Sequence, residues 1–460
     1  MHAFSGLQIG LSALISQQLL QETIAHNVAN VNTKGYSRQR AMLVALPPSN
    51  PYSVIPQTGL GVAVSEIRRS ASVLLNRQIE REGGSLAYWT AVRDGMGGIE
   101  SLFLEPGEYG LQATIDNFWT AWRDLSIDPT SAAARANVRQ AGEAVATALQ
   151  RTYQGVANTL NQWDLELSFS AARIGLLAGQ IAALNEQIRK AVAAGDPAND
   201  LRDQRDMLLQ ELSRLARVQS GENADGTLLV ILGGHILVGA SGATRIEVET
   251  GADGFKELVW SDDGSRVVVR EGTVGATLSL RDWARNTVLA GLDRLASALI
   301  QTVNERHEAG YTPDNRTGIS FFSGTGAGDI RVSDAVRGDL GAIAVAASPD
   351  SPGDGRIALD IADLQREEIT SLGDTAGGFY GTLVARLGLD VQQANSMVKS
   401  QEALVQFLNA SRESLAGVSL DEEAVQMLGA QRAYQAASRV ITAVDEMLDR
   451  LINNTGLVGR

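Results

Sequence analysis

The segment Ser419–Leu451 reads SLDEEAVQMLGAQRAYQAASRVITAVDEMLDRL, and its periodicity decides how the whole chain is arranged. Leu420, Met427, Tyr434, Ile441 and Leu448 recur every seven residues, and Glu423, Ala430, Ala437, Val444 and Leu451 follow three positions on. Together the two columns form one stripe along a helix, apolar except at Glu423. A stripe of this kind calls for a second helix against it. Ser419 and Glu422 have the spacing of a capping box, and Asp421, Glu422 and Glu423 put negative charge on the positive end of the helix dipole. Asn453, Asn454 and Gly456 supply the stop.

The other end of the chain offers a partner. Ser5 and Gln8 are spaced as a further capping box, and Phe4 and Ile9 as a hydrophobic staple. Leu7, Leu11, Leu14, Ile15, Ile24, Ala25 and Val28 follow at helical spacing. Neither helix carries enough apolar surface to hold itself together in water. Both ends are therefore expected to be frayed in an isolated subunit and ordered when many copies pack. Periodicity leaves a plainer alternative open, two ordinary helices closing one globular core.

Composition bounds the function. The 460 residues are 44% hydrophobic and 20% charged, as in a globular protein without disordered bias, and offer room for two to four domains. A net charge of −14 argues against a nucleic-acid partner, because phosphate binding needs a basic surface. The absence of cysteine excludes disulfides, thiolate metal sites and cysteine nucleophiles. No apolar run approaches the ~20 residues of a membrane span, and no basic segment leads into an apolar one at the start, so neither membrane insertion nor an ordinary secretory signal is expected.

Between the ends the chain reads as helix, β insert, helix. After the first helix, Asn30, Asn32 and Gly35 carry turn chemistry, and Tyr36–Leu46 reads as extended. Pro47, Pro48, Pro51 and Pro56 then mark a linker. Ser65–Phe103 is helical by pattern, with Gly83-Gly84 and Gly97-Gly98 expected to break or bend it. Ile115, Phe118, Trp119 and Trp122 form a core stripe. Asp128-Pro129 opens a helical run that can continue to Ala194, roughly 90 Å if unbroken. Gly195-Asp196-Pro197 ends it, and Leu201–Leu215 is a further helix.

From about Val218, short β-branched runs alternate with Asp-Gly and Gly-Gly turns: Leu228–Leu232, His235–Val238, Thr244–Val248, Glu257–Trp260 and Val267–Arg270. Helix resumes at Leu278–His307 and again at Gly378–Ala416. The glycine-rich Tyr311–Ala362 between them is either a second β element, with strands at Ile330–Val332 and Ile343–Ala346, or a surface excursion. The fold class expected is mainly α with an inserted small β domain. Its architecture is nested and rod-like, with the N- and C-terminal helices forming an inner coiled-coil domain. Residues 1–45 and 418–460 make that inner domain, 46–215 and 276–417 the rod, and 216–275 the insert.

No catalytic or cofactor motif survives inspection, and no cofactor is expected. His2, His26, His235 and His307 are scattered, none with a metal-ligand partner at the spacing of H-E-x-x-H. Gly324, Gly326 and Gly328 suggest a phosphate loop, but Asp329 stands where G-x-G-x-x-G needs its last glycine. Asp225, Asp253, Asp262 and Asp263 lack the EF-hand glutamate and read as turn residues. An enzyme housed in the insert or in Tyr311–Ala362 is the alternative from a different class, with no motif behind it.

Three stretches resemble a known family. Gly6–Met42, with Asn-Val-Ala-Asn-x-Asn-Thr-x-Gly-Tyr at Asn27–Tyr36, is similar to the N-terminal motif of bacterial flagellar rod, hook and hook-associated proteins. Its continuation Tyr36-Ser37-Arg38-Gln39 resembles the hook-associated protein 1 (FlgK) family, although rod and hook proteins more often carry proline where this chain has Lys34. Gly417–Glu423 followed by Gln431–Ala436 resembles that family's C-terminal motif, and Asn199–Asp206 an internal signature.

The resemblance implies a structural protein that joins hook to filament, exported unfolded by a type III apparatus and held beforehand by a cytoplasmic chaperone. It implies hook protein, hook-associated protein 3 and further copies of the chain as neighbours, in a homo-oligomeric tubular layer outside the cell. Another axial protein, hook or distal rod, is the nearer alternative. On the residues themselves, Leu7, Leu11, Leu14, Ile24 and Val28 are expected to meet Leu420, Met427, Tyr434, Ile441, Val444, Leu448 and Leu451, within one subunit or between neighbours. Asn30, Asn32, Gly35, Tyr36 and Arg38 are expected to set the turn from inner helix to outer rod.

Overall fold

A computed structural model of the chain describes residues 2–48, 58–108 and 110–453, without the side chains of His2, Ala3, Phe4 and Leu451. The Phe4–Ile9 staple, Pro51, Pro56, Asn454, Gly456 and the Leu451 seam contact lie outside the described residues.

Helix α1 (His2–Ala29) leads into an antiparallel hairpin, β1 (Gln39–Leu46) and β2 (Gly61–Arg69). Next come α2 (Val73–Glu100), α3 (Leu111–Ile127), α4 (Ala132–Ala193) and α5 (Asn199–Leu215). The insert holds β3 (Val218–Glu222), β4 (Leu228–Leu232), β5 (His235–Gly239), β6 (Gly242–Ala243), β7 (Ile246–Thr250) and β8 (Lys256–Trp260). Then follow α6 (Gly272–Trp283), a π turn at Ala284–Leu289, α7 (Ala290–Ala309), and the short strands β9 (Phe322–Ser323) and β10 (Arg331–Val332). Short helices α8 (Asp334–Gly338) and α9 (Arg356–Asp363) precede the long α10 (Ala376–Ala416) and α11 (Leu420–Asn453).

The hairpin corrects the expected helix at Ser65–Phe103. Gly61–Arg69 pairs with β1, and α2 starts only at Val73, where the Ser72 hydroxyl accepts from Leu75 N–H. Gly83-Gly84 and Gly97-Gly98 do not break α2, which packs along α10 and the α5–α6 side of the rod. At the other end, Ser5 lies inside α1 rather than capping it.

Helix α4, 62 residues long, is the spine, spanning about 90 Å. Its cap is Ser131, whose hydroxyl accepts from Ala134 N–H, rather than Asp128. Gly195, with φ of +87°, and Pro197 end it. Among the described helices it has the length and apolar composition of a membrane span. Its apolar positions instead line two protein cores in succession. The first half packs Val138, Val145, Leu149, Val156 and Leu160 against α3, α6 and α7, around Phe118, Trp119, Trp122, Phe321 and Phe322. The second half packs Leu167, Ile174, Leu177 and Ile181 against Leu209 and Leu212 of α5 and Val230, Leu237, Leu258 and Trp260 of the insert.

The insert is a four-stranded antiparallel sheet, β3-β4-β5-β6, beside the β7–β8 ladder. It has no core apart from α4 and α5, because its inward residues all belong to that second cluster. Val267–Arg270 is not a strand; Val267 and Val269 are buried, and only Arg266 bridges to Val259. Tyr311–Ala362 is not a surface excursion. Phe321, Phe322, Ile330, Ile343 and Val345 are fully buried in the first core, with β9 and β10 as the segment's one ladder; Ile343–Ala346 is not a strand and makes a single isolated bridge, from Ala346 to Tyr311.

Candidate functional site at the meeting of the chain ends

Helices α1 and α11 pack antiparallel within one subunit: Gly6 faces Val444, Gly10 faces Ile441, and Asn27 bonds Glu423. The approach is set by small residues. A Cβ at Gly10 would stand 2.6 Å from Ile441 Cγ1, and one at Gly6 would stand 3.1 Å from Val444 Cγ2. On α11 the buried column is therefore Glu423, Ala430, Ala437 and Val444. The hairpin lies along α1, where Ser16 donates to Val62 O (3.0 Å) and Ser12 to Leu60 O (3.3 Å).

Within one subunit this placement brings together only part of the expected seam. Ile24 and Val444 are buried, and Leu7, Leu14, Met427, Ile441 and Leu448 are half-buried. Leu11, Val28, Leu420 and Tyr434 face solvent instead of a partner helix. Glycine and alanine let the two backbones come close, and the larger residues are then pushed to the flanks. Ile15, Val425, Leu428, Val440, Met447 and Ile452 extend the exposed apolar surface. Among the described residues of α1, β1, β2 and α11, the buried apolar side chains are only Ile24, Ala430, Ala437 and Val444. Ser16, Thr23, Asn27, Gln39 and Glu423 are buried beside them.

Polar contacts compensate for this thin seam. Asn27 Oδ1 accepts from Gln39 N–H (2.9 Å) and Tyr36 O–H (2.7 Å), while its Nδ2 donates to Gln39 O (2.9 Å) and Glu423 Oε2 (3.1 Å). All four capacities of the amide are used, and Asn27 behaves toward Gln39 as a neighbouring strand would. Because the Tyr36 hydroxyl is spent as a donor, it accepts from His26 Nδ1–H (3.0 Å). Burial, with Asp200, Asp203 and Glu423 nearby, pushes the Tyr36 phenol well above its ordinary value.

Arg38 closes the junction. Its Nε lies 2.6 Å from Glu423 Oε1, Nη1 donates to Glu422 (2.7 Å), and its backbone N–H donates to Ala416 O (2.9 Å). Glu423, the one polar member of the heptad stripe, is thus the buried counter-ion of Arg38. Glu422 reaches Arg38 instead of returning to its own cap.

The same turn is tied to the rod through α5. Ser37 donates through N–H and O–H to the two oxygens of Asp203 (2.8 and 2.9 Å), and Gln39 Nε2 donates to Asp200 (2.7 Å). Arg69, at the end of β2, bridges Asp203 and Asp206 at 2.8 Å each. Burial raises the Asp203 carboxyl despite these bonds. Gly35, with φ of +83°, turns the chain over Met207, whose side chain occupies the space a Cβ would need. Asn30 caps α1 by donating to His26 O, while Asn32 is exposed. Reading the sequence missed Gly6, Gly10, Asn27, Ser37, Asp203 and Arg69 as site residues. The acid-rich run Asn199–Asp206 was the available signal.

So the N-terminal motif, the internal signature and the C-terminal motif converge on one junction. The family profile described as "Flagellar hook-associated protein FlgK helical domain" matches residues 96–322. Profiles for the flagellar basal body rod protein and for the C-terminal region of rod FlgEFG proteins match residues 7–36 and 412–454, the two sides of the junction. The chain belongs to the FlgK family. Flagellar hook-associated protein 1 of Bacillus subtilis is 28% identical over 99% of both chains. That of Salmonella typhimurium is 29% identical over 70% of this chain and 58% of its own, and that of Escherichia coli 27% identical over 68% and 59%. The hook junction protein FlgK from Burkholderia pseudomallei has a similar fold, with a TM-score of 0.64 at 15% identity, covering 74% of this chain and all of that one. The family is one of structural flagellar proteins, and this chain is mainly α with a small β insert.

Proposed function

We propose that this chain is an axial structural subunit of the bacterial flagellum at the hook–filament junction, assembling with copies of itself through its paired terminal helices. The observation that carries this reading is the junction: both ends of the chain and the Asn199–Asp206 signature meet in one polar knot that holds α1 and α11 against the rod. The inner pair has few buried apolar residues and an exposed apolar band, so contacts with neighbouring copies complete its burial. Hook protein below, hook-associated protein 3 above, and passage through a type III export apparatus with a cytoplasmic chaperone belong to the same reading. The site of action is the extracellular flagellum.

The test is Ile441→Asp, which puts a charge against Gly10 in the middle of the pair. Loss of incorporation at the hook end, with unchanged urea unfolding of the rod, is expected. Normal incorporation overturns the reading. A wild-type chain that polymerises alone into long hook-like tubes would favour a hook or distal-rod subunit instead.

A further inference from the structure

The fold brings together a histidine and two carboxylates that lie far apart in the sequence. His235 is the first residue of β5, and Asp262 and Asp263 lie in the turn that follows β8. His235 Nε2 is 3.4 Å from Asp262 Oδ2 and 3.8 Å from Asp263 Oδ2, and one donor atom from each residue fits within a 4.8 Å cluster. Two ligands held by a zinc-like ion with bonds of ~2.1 Å at tetrahedral angles stand ~3.4 Å apart. The donors are thus spaced for a shared ion with little movement.

Groups outside the trio orient it. The His235 ring stacks on Trp260, with centroids 4.3 Å apart and planes at 19°. The buried Trp260 belongs to the insert's core, so the ring plane is fixed by a rigid element. His235 Nδ1 lies 3.3 Å from Ile236 O, a backbone acceptor for Nδ1–H; in the neutral ring this leaves the Nε2 lone pair toward the carboxylates. Asp263 Oδ1 accepts from Ser265 N–H (2.8 Å), which turns Oδ2 to the histidine. In that tautomer a lone pair faces two carboxylate oxygens, an arrangement that calls for a cation between them. About half of each carboxylate is open to solvent, giving an ion a path in.

We propose that His235, Asp262 and Asp263 form a binding site for a divalent transition-metal ion of the Zn²⁺/Co²⁺/Mn²⁺ class on the rim of the β insert. One imidazole and two carboxylates suit these borderline ions better than Ca²⁺, which takes six to eight oxygens. The ion pins the start of β5, where His235 pairs with Leu232 of β4, to the turn after β8, a strand whose ladder is with β7.

The experiment is titration of the metal-stripped full-length protein with Co²⁺, read by its visible d–d absorption, followed by displacement with Zn²⁺. One saturable equivalent is expected, weakened at least about tenfold by His235→Ala and by Asp262→Asn, and unaffected by Asp225→Asn in another turn of the insert. Unchanged metal-free urea unfolding of the two variants checks that the insert remains folded. Absence of saturable binding at millimolar metal overturns the proposal and leaves an imidazolium–carboxylate ion pair. Equal binding by wild type and both variants overturns it as well.

Discussion

Replacing Glu423 by glutamine tests the junction with a magnitude taken from its geometry. Glu423 is fully buried and Arg38 is 5% exposed, so the substitution strands a guanidinium that has little access to water. Breaking a buried ion pair from one side costs about 3–5 kcal/mol. Two features reduce this. Glu422 still stands 2.7 Å from Arg38, and the glutamine oxygen can still accept from Asn27. A loss of about 2–3 kcal/mol is expected, equivalent to a 30- to 150-fold rise (roughly) in the subunit concentration needed for half-maximal assembly on isolated hook ends.

Arg38→Met combined with Glu423→Gln removes the stranded charge and should recover most of that loss. Urea unfolding of the rod should not change, because neither residue touches the two apolar cores. Two results would refute the reasoning: a Glu423→Gln protein that assembles at wild-type concentrations, or a double variant whose loss is the sum of the two singles.

Gly10→Ala should weaken assembly by about 1–3 kcal/mol, since its Cβ would lie 2.6 Å from Ile441 Cγ1, and Ile441→Ala should restore part of it in the same assay. Burial, with Asp206 close by, pushes the Glu80 carboxyl up to about 8 from 4.5. The folded chain then keeps a proton that the unfolded chain releases, so stability falls as pH rises from 4.5 through about 8. Glu80→Gln should gain on the order of 2–4 kcal/mol over wild type in urea unfolding at alkaline pH and nothing in acid. His307 behaves in the opposite sense: burial lowers it from 6.5 to about 4, while Nδ1–H donates to Ile319 O and Nε2 accepts from Ala344 N–H. Its contribution is complete above 6.5 and is lost as pH falls through about 4. An NMR titration of its ring should therefore show no change at pH 6, whereas an ordinary midpoint would contradict its burial.

Strong periodicity made the long helices legible. Helices α10 and α11 begin and end within a few residues of their sequence signals, and α4 runs unbroken through four glycines to the Gly195 stop. Glu423 stood out as the wrong residue in an apolar stripe, and that anomaly marked the buried pair with Arg38. The face of α11 that turns inward was not legible. Hydrophobicity pointed to Leu420 and Tyr434, whereas the closeness of Gly6 and Gly10 selects the alanine column.

The β1–β2 hairpin was hidden for another reason. Gly61–Arg69 is half-exposed and lies against α1 through serine hydroxyls, so no buried alternation marks it. The His235–Asp262–Asp263 trio and the Asp203 clamp depend on pairings distant in sequence, which spacing rules do not reach.

The most direct test of assembly-coupled ordering is amide hydrogen exchange of α1 and α11, measured in dilute monomer and again in the assembled junction. Weak protection of both helices in the monomer, against a strongly protected rod, and strong protection after assembly are expected. Full protection of both helices in a dilute single subunit would contradict the claim that neighbouring copies complete their burial.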